Sequence, residues 1–192
     1  MKQRWSMWAL AAGTLSLSAT AFAAAPTPEM ISFACAGCHG TNGGSAGLTM
    51  PSLASQSKTA IVDAMKKFKS GERPSTVMGR LAKGYTDADF DAMANFFSKQ
   101  KFHATQQVVD AAKAKKGADL QEANCSRCHL EEGKEGKDDT PVMASQWLTY
   151  LQMQMGLYQS GARKMPEKMA EKVKPLSKED IEALLHFYAS VK

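Results

Sequence analysis

The four cysteines of this 192-residue chain fall in two pairs. Cys35 and Cys38 are followed at once by His39, and Cys125 and Cys128 at once by His129. Cys-x-x-Cys-His is the attachment pattern for c-type haem. Two thiols three residues apart project from one helical turn, and each can capture one vinyl group as a thioether. The next side chain then offers an imidazole to iron, and its other ring nitrogen needs an acceptor to fix the ring. Pro51 and Pro141, each 12 residues past its histidine, can offer a carbonyl with no N–H to compete. Two disulfides are the ordinary reading of four cysteines in an exported chain, but they leave both histidines unexplained. A zinc finger needs a separated histidine pair that neither motif has.

The second axial ligand decides what the iron can do. Among 12 methionines, Met78 and Met169 are singled out by their register: each stands seven residues before the residue that opens the last helix of its half, Tyr85 or Leu176. Met165 is the rival in the second half, though it breaks the repeat by four residues. Met50 reads as loop packing, and His103 and His186 read as surface residues. Histidine–methionine ligation fills both axial positions and raises the reduction potential. With no open coordination site, the expected chemistry is outer-sphere electron transfer. Catalysis at iron, such as peroxidase activity, is disfavoured.

These residues must be positioned by elements, and the elements repeat. Residues 35–73 and 125–163 share 13 identities, of which only three belong to the haem motif. Pro51 matches Pro141, Ala54-Ser55-Gln56 matches Ala144-Ser145-Gln146, and Ser70-Gly71-x-Arg73 matches Ser160-Gly161-x-Arg163. Duplication of one haem unit explains the rest. Each half predicts a short helix ending near the cysteines, a loop to the proline, a middle helix and a capped last helix. Ile61, Met65 and Phe68 line the first middle helix; Leu148, Leu151, Met155 and Tyr158 line the second. Thr86 with Asp89, and Ser177 with Asp180, have capping-box spacing. The expected fold class is all-α: two tandem haem domains related by internal duplication.

Residues 1–23 read as a secretory signal, with Lys2 and Arg4 ahead of an apolar stretch and Ala21-Phe22-Ala23 as the cleavage site. The expected divisions are this signal, a first haem domain at 24–105 and a second at 106–192, with a Lys-rich linker at about 100–117. Periplasmic localisation follows from export. Without Lys2 and Arg4 the formal charge falls from +5 to +3, and no basic run with interleaved aromatics suggests nucleic acid. Nothing after the signal is long and apolar enough to span a membrane.

The segments CAGCHGTNGGS, FKSGERPSTVMGRLAKGYTDADFDAMANFF, CSRCH, ASQW and HFYAS resemble the cytochrome subunit of flavocytochrome c sulfide dehydrogenase, along nearly the whole mature chain. STVMGRLAKGY is the more particular of these signals. The resemblance implies that the two tandem domains are class I cytochrome c-like and related by pseudo-twofold packing. It implies two haem c groups, one served by Cys35, Cys38, His39 and Met78, the other by Cys125, Cys128, His129 and Met169. It also implies a separate FAD-containing subunit that oxidises sulfide, with electrons passing from flavin to haem and on to a soluble c-type cytochrome. The chain itself has no dinucleotide-binding glycine motif and no spare redox cysteine, so FAD is expected only on the partner. The alternative is a free dihaem cytochrome shuttling electrons to a terminal oxidase. Finally, the loop after the first haem motif, GTNGGSAGLTM, is uncharged, whereas its counterpart LEEGKEGKDDT is dense in charge. That contrast predicts that the first haem domain faces the flavoprotein.

Overall fold

The computed structural model describes residues 26–192. The expected signal at 1–23 lies outside the described residues. Among the described residues there are helices and loops, with no strand beyond an isolated bridge between Lys137 and Thr140. The first half contains α1 (Pro28–Phe33), α2 (Ala36–His39), α3 (Lys58–Ser70), α4 (Met78–Leu81) and α5 (Asp87–Phe97). The second contains α6 (Ala111–Asn124), α7 (Leu148–Gln159), α8 (Glu167–Val173) and α9 (Lys178–Ser190). No described helix is long and apolar enough to cross a membrane.

Local chemistry sets most of these boundaries. The Thr27 hydroxyl accepts from Met30 N–H, with Pro28 in the first turn where its missing donor costs nothing. Ser57 caps α3, and Gly71 ends it with a left-handed φ of 85°. Thr86 with Asp89 and Ser177 with Asp180 form complete capping boxes on α5 and α9. Asp110 accepts from Ala112 and Lys113 N–H to start α6. The expected linker at about 100–117 is therefore shorter: only 101–110 lack regular structure, and Gly117 lies inside α6. The reason is tertiary. A Cβ on Gly117 would come within 2.1 Å of the Ala183 carbonyl, so α6 and α9 cross where only hydrogen fits.

Each half has its own core. In the first, Phe90, Met93 and Phe97 of α5 pack on Ile61 and Met65 of α3. In the second, Ile181, Leu184, Leu185 and Tyr188 of α9 pack on Leu151 of α7. The halves meet through a reciprocal seam. The Gln146 side chain accepts from Ser52 N–H at 2.9 Å and donates to Ser52 C=O at 2.9 Å. Its repeat mate Gln56 accepts from Val142 N–H at 2.9 Å and donates to Val142 C=O at 2.8 Å. Ser52 and Val142 are themselves repeat mates, so the seam is isologous within one chain. Trp147 Nε1 adds a bond to the Ser45 carbonyl at 3.0 Å.

Candidate haem-binding sites

Both Cys-x-x-Cys-His segments adopt the same tight turn. His39 N–H donates to the Cys35 carbonyl at 2.9 Å, as His129 N–H does to Cys125 at 2.9 Å. Cys35 and Cys125 are half-buried and Cys38 and Cys128 exposed, and none of the four forms a disulfide. Burial pushes the Cys35 and Cys125 thiols up. Among the described residues no cluster of three or more His, Cys, Asp or Glu could hold a metal ion. The donor set fits haem attachment: one inner and one outer thiol on a single turn, with a histidine directly after.

His39 is buried, and its Nδ1 lies 2.8 Å from the Pro51 carbonyl oxygen. A carbonyl can only accept, so the proton sits on Nδ1 and Nε2 keeps the lone pair an iron would need. Burial pulls the His39 pKa down, with the Pro51 bond opposing, and keeps the ring neutral near pH 7. His129 is also lowered by burial. The expected second bond is not made, however: His129 Nδ1 is buried without a hydrogen-bond partner, and Pro141 does not accept from it. The loops leave the two histidines differently. Gly40 turns the first with φ 78°, whereas Leu130 is extended and Glu131 and Glu132 are driven to φ 47° and 58°. Such values strain a non-glycine residue. The His129 ring packs edge-on to Tyr188, centroids 6.0 Å apart, and its backbone carbonyl accepts from Gln121 Nε2 at 2.9 Å.

Further along, the loops are pinned alike. Gly43 and Gly133, both at φ 81°, each use one carbonyl to accept two N–H groups, from Leu53 and Ala54 or from Met143 and Ala144. Ser55 and Ser145, at φ 60° and 56°, then turn the chain so that Gln56 and Gln146 cross the seam. Met78 is half-buried at the start of α4 and packs on the first core. Met169 is half-buried in the first turn of α8, and Met165 lies just before that helix.

Five residues have roles beyond those read from the sequence. His186 is buried rather than on the surface, because its Nδ1 accepts from Asp110 N–H at 3.0 Å and so helps start α6. Arg73 and Arg163, read only as repeat markers, converge on the Gln154 side-chain carbonyl at 3.1 and 2.8 Å. Arg73 stacks on Phe68 and Arg163 on Tyr158. Neither guanidinium has a carboxylate partner among the described residues. Gln56 and Gln146 were likewise visible only as an identical Ala-Ser-Gln triplet. Side chains of identical type at matched loop positions in both copies were the signal that could have found them.

The chain's relatives agree with this geometry. A family model described as cytochrome c matches residues 22–101. One described as cytochrome C oxidase, cbb3-type, subunit III matches residues 112–187. The cytochrome subunit of sulfide dehydrogenase from Chlorobaculum tepidum is 48% identical over 69 residues, 36% of this chain and 62% of that relative, so the chain spans under two thirds of its length. Cytochrome c-554(548) from Halomonas halodenitrificans is 31% identical over 70 residues, 35% of this chain and 84% of that protein. The crystal structure of reduced cytochrome c4 from Pseudomonas stutzeri superposes with a TM-score of 0.75 at 25% identity, covering 86% of this chain and 97% of that one.

Proposed function

The chain belongs to the c-type cytochromes, with two covalently bound haem c groups and a role in electron transfer, and on that premise we propose that it is the electron-accepting subunit of a sulfide dehydrogenase. It receives electrons from an FAD-containing partner subunit and passes them to a soluble c-type cytochrome, in the periplasm. The observation that carries this reading is the 48% identity to a sulfide dehydrogenase cytochrome subunit. The uncharged loop Gly40–Met50 beside the first haem motif supports it.

The haems supply one-electron exchange at iron. Cys35 and Cys38 would hold one, and Cys125 and Cys128 the other, with His39 and His129 each offering a ring nitrogen to iron. Met78 and Met169 would each supply a thioether to one iron. The Pro51 carbonyl fixes the ring plane and tautomer of His39. Arg73 and Arg163, converging on the Gln154 side chain, provide positive charge where the halves meet. The functional units are 24–105 and 106–192, after removal of 1–23.

A second reading is a free dihaem shuttle to a terminal oxidase, favoured by the match to nearly all of a cytochrome c4. Purification from native periplasm in mild buffer separates the two, with absorbance scanned for flavin. A stable flavin-containing complex is the expected result. A lone cytochrome with no flavin would transfer the assignment to the shuttle.

A further inference from the structure

One peptide group joins the two halves at the first haem site. Its carbonyl belongs to Pro51 and accepts from His39 Nδ1 at 2.8 Å. Its N–H belongs to Ser52 and donates to Gln146 Oε1 at 2.9 Å. The result is an unbroken chain: imidazole N–H to peptide carbonyl, peptide N–H to glutamine carbonyl. Gln146 Nε2 returns to the Ser52 carbonyl at 2.9 Å, closing the amide onto Ser52 and fixing its rotamer. Gln146 and Ser52 are buried, at 3% and 5% exposure, so water does not compete. Gln146 belongs to the second half, following the second haem's Pro141 by five residues.

We propose that Gln146 is a positioning residue that tunes the axial histidine of the first haem from the opposite half of the molecule. Accepting the Ser52 N–H polarises the Pro51–Ser52 peptide and makes the Pro51 oxygen a stronger acceptor, since hydrogen bonds in a chain reinforce one another. A stronger pull on Nδ1–H raises the basicity of the imidazole, as second-shell partners of ligating histidines do. A more basic His39 favours ferric over ferrous iron and lowers the first haem's potential.

The mirror arm lacks its last link. Gln56 Oε1 accepts from Val142 N–H at 2.9 Å, polarising the Pro141–Val142 peptide in the same way. But His129 Nδ1 makes no bond to Pro141. The seam is therefore symmetric in its glutamines and asymmetric in its effect: the second half tunes the first haem, and the first half does not tune the second. This rests on His39 ligating the first haem, and not on the identity of the partner protein.

The test compares Gln146→Met and Gln56→Met in the holoprotein; each replaces an amide by an apolar side chain of similar length and removes that glutamine's two seam bonds, and Gln56→Met also removes a longer bond to the Ser52 carbonyl at 3.4 Å. Both midpoint potentials are measured with the haems assigned by NMR. The His39 Nδ1–H resonance and its solvent exchange are followed in the reduced state. Gln146→Met is expected to shift the first haem's redox equilibrium about threefold toward reduction, roughly 28 mV at 59 mV per decade. It should also speed Nδ1–H exchange and leave the second haem unmoved; Gln56→Met should move neither potential. Equal shifts of both haems by either variant, or an unchanged first potential in Gln146→Met, would overturn the proposal. Should Gln146→Met not fold, the wild type still decides: a through-hydrogen-bond coupling between Ser52 N–H and the Gln146 side-chain carbonyl is expected, and its absence refutes the relay. A wild type lacking any His39-ligated low-spin signal would instead fail the haem assignment.

Discussion

His39 and His129 are repeat mates with unequal support, since one ring nitrogen is held by Pro51 and the other is buried without a partner. Ring orientation at the second site is left to packing against Tyr188. The proposed ligation by Met78 and Met169 is tested directly. Met78→Ala and Met169→Ala in the holoprotein should each abolish one of two methionine-ligated near-infrared signals and leave the other. If Met165→Ala removes the second signal while Met169→Ala spares it, assignment by repeat register is wrong for that half. The covalent ligands were legible because their chemistry is local: spacing alone puts two thiols and an imidazole on one turn. The Pro51 bond was legible from register, but the missing Pro141 bond was not. It depends on the backbone that Glu131 and Glu132 adopt, and nothing in their identity announces a left-handed conformation.

At the level of helices, α6 and α9 form the tightest crossing, and two features hold it. Gly117 allows close approach, so Gly117→Ala should force the helices apart, at a cost of about 1–3 kcal/mol typical of overpacking, read as a lower midpoint in chemical denaturation. The second feature is Asp180, which lies 2.6 Å from Lys116 across the crossing and also accepts from Ser177 in the capping box. The Lys116 bond first, then the Ser177 bonds, hold its carboxyl down at about 2. A carboxyl depressed in the folded state adds stability above its unfolded value of about 3.9, and that contribution is lost as pH falls toward 2. Asp180→Asn should therefore show a shallower loss of stability between pH 4 and pH 2 than the parent, measured by urea titration across that range. Ser177→Ala should cost about 1 kcal/mol, as lost N-caps do. The capping boxes could be read from four-residue patterns. The start of α6 could not, because a Lys- and Ala-rich segment reads as solvated linker until α9 is placed against it. His186 escaped for the same reason: its buried bond to Asp110 joins positions 76 residues apart.

The duplication made two similar haem units, but it did not make two similar surfaces. Around the first site Phe33, Leu48, Val77 and Leu81 are exposed, Leu48 at 58%. Their repeat counterparts around the second are Ala123, Asp138, Lys168 and Lys172, all exposed. The charge contrast was visible in the two loops, yet the sequence could not tell that residues 33, 77 and 81 are exposed as well. The centres of buried interfaces are depleted in charge, since an ion stripped of water without a partner is costly. An uncharged, glycine-rich loop lets a partner's backbone come near the haem edge and shortens the electron path. A charged rim suits brief, salt-sensitive docking, where complementary fields speed encounter without lasting burial. The first haem should therefore face the flavoprotein and the second the soluble acceptor. Ala46→Glu or Leu48→Lys should weaken assembly with the flavoprotein, seen as early release of flavin absorbance in gel filtration. Neutralising Glu131, Glu132, Asp138 and Asp139 should leave that complex intact and flatten the ionic-strength dependence of electron delivery to a soluble cytochrome. Dissociation by the neutralised set, with the Ala46 and Leu48 variants still assembled, would mean that the molecule is oriented the other way round.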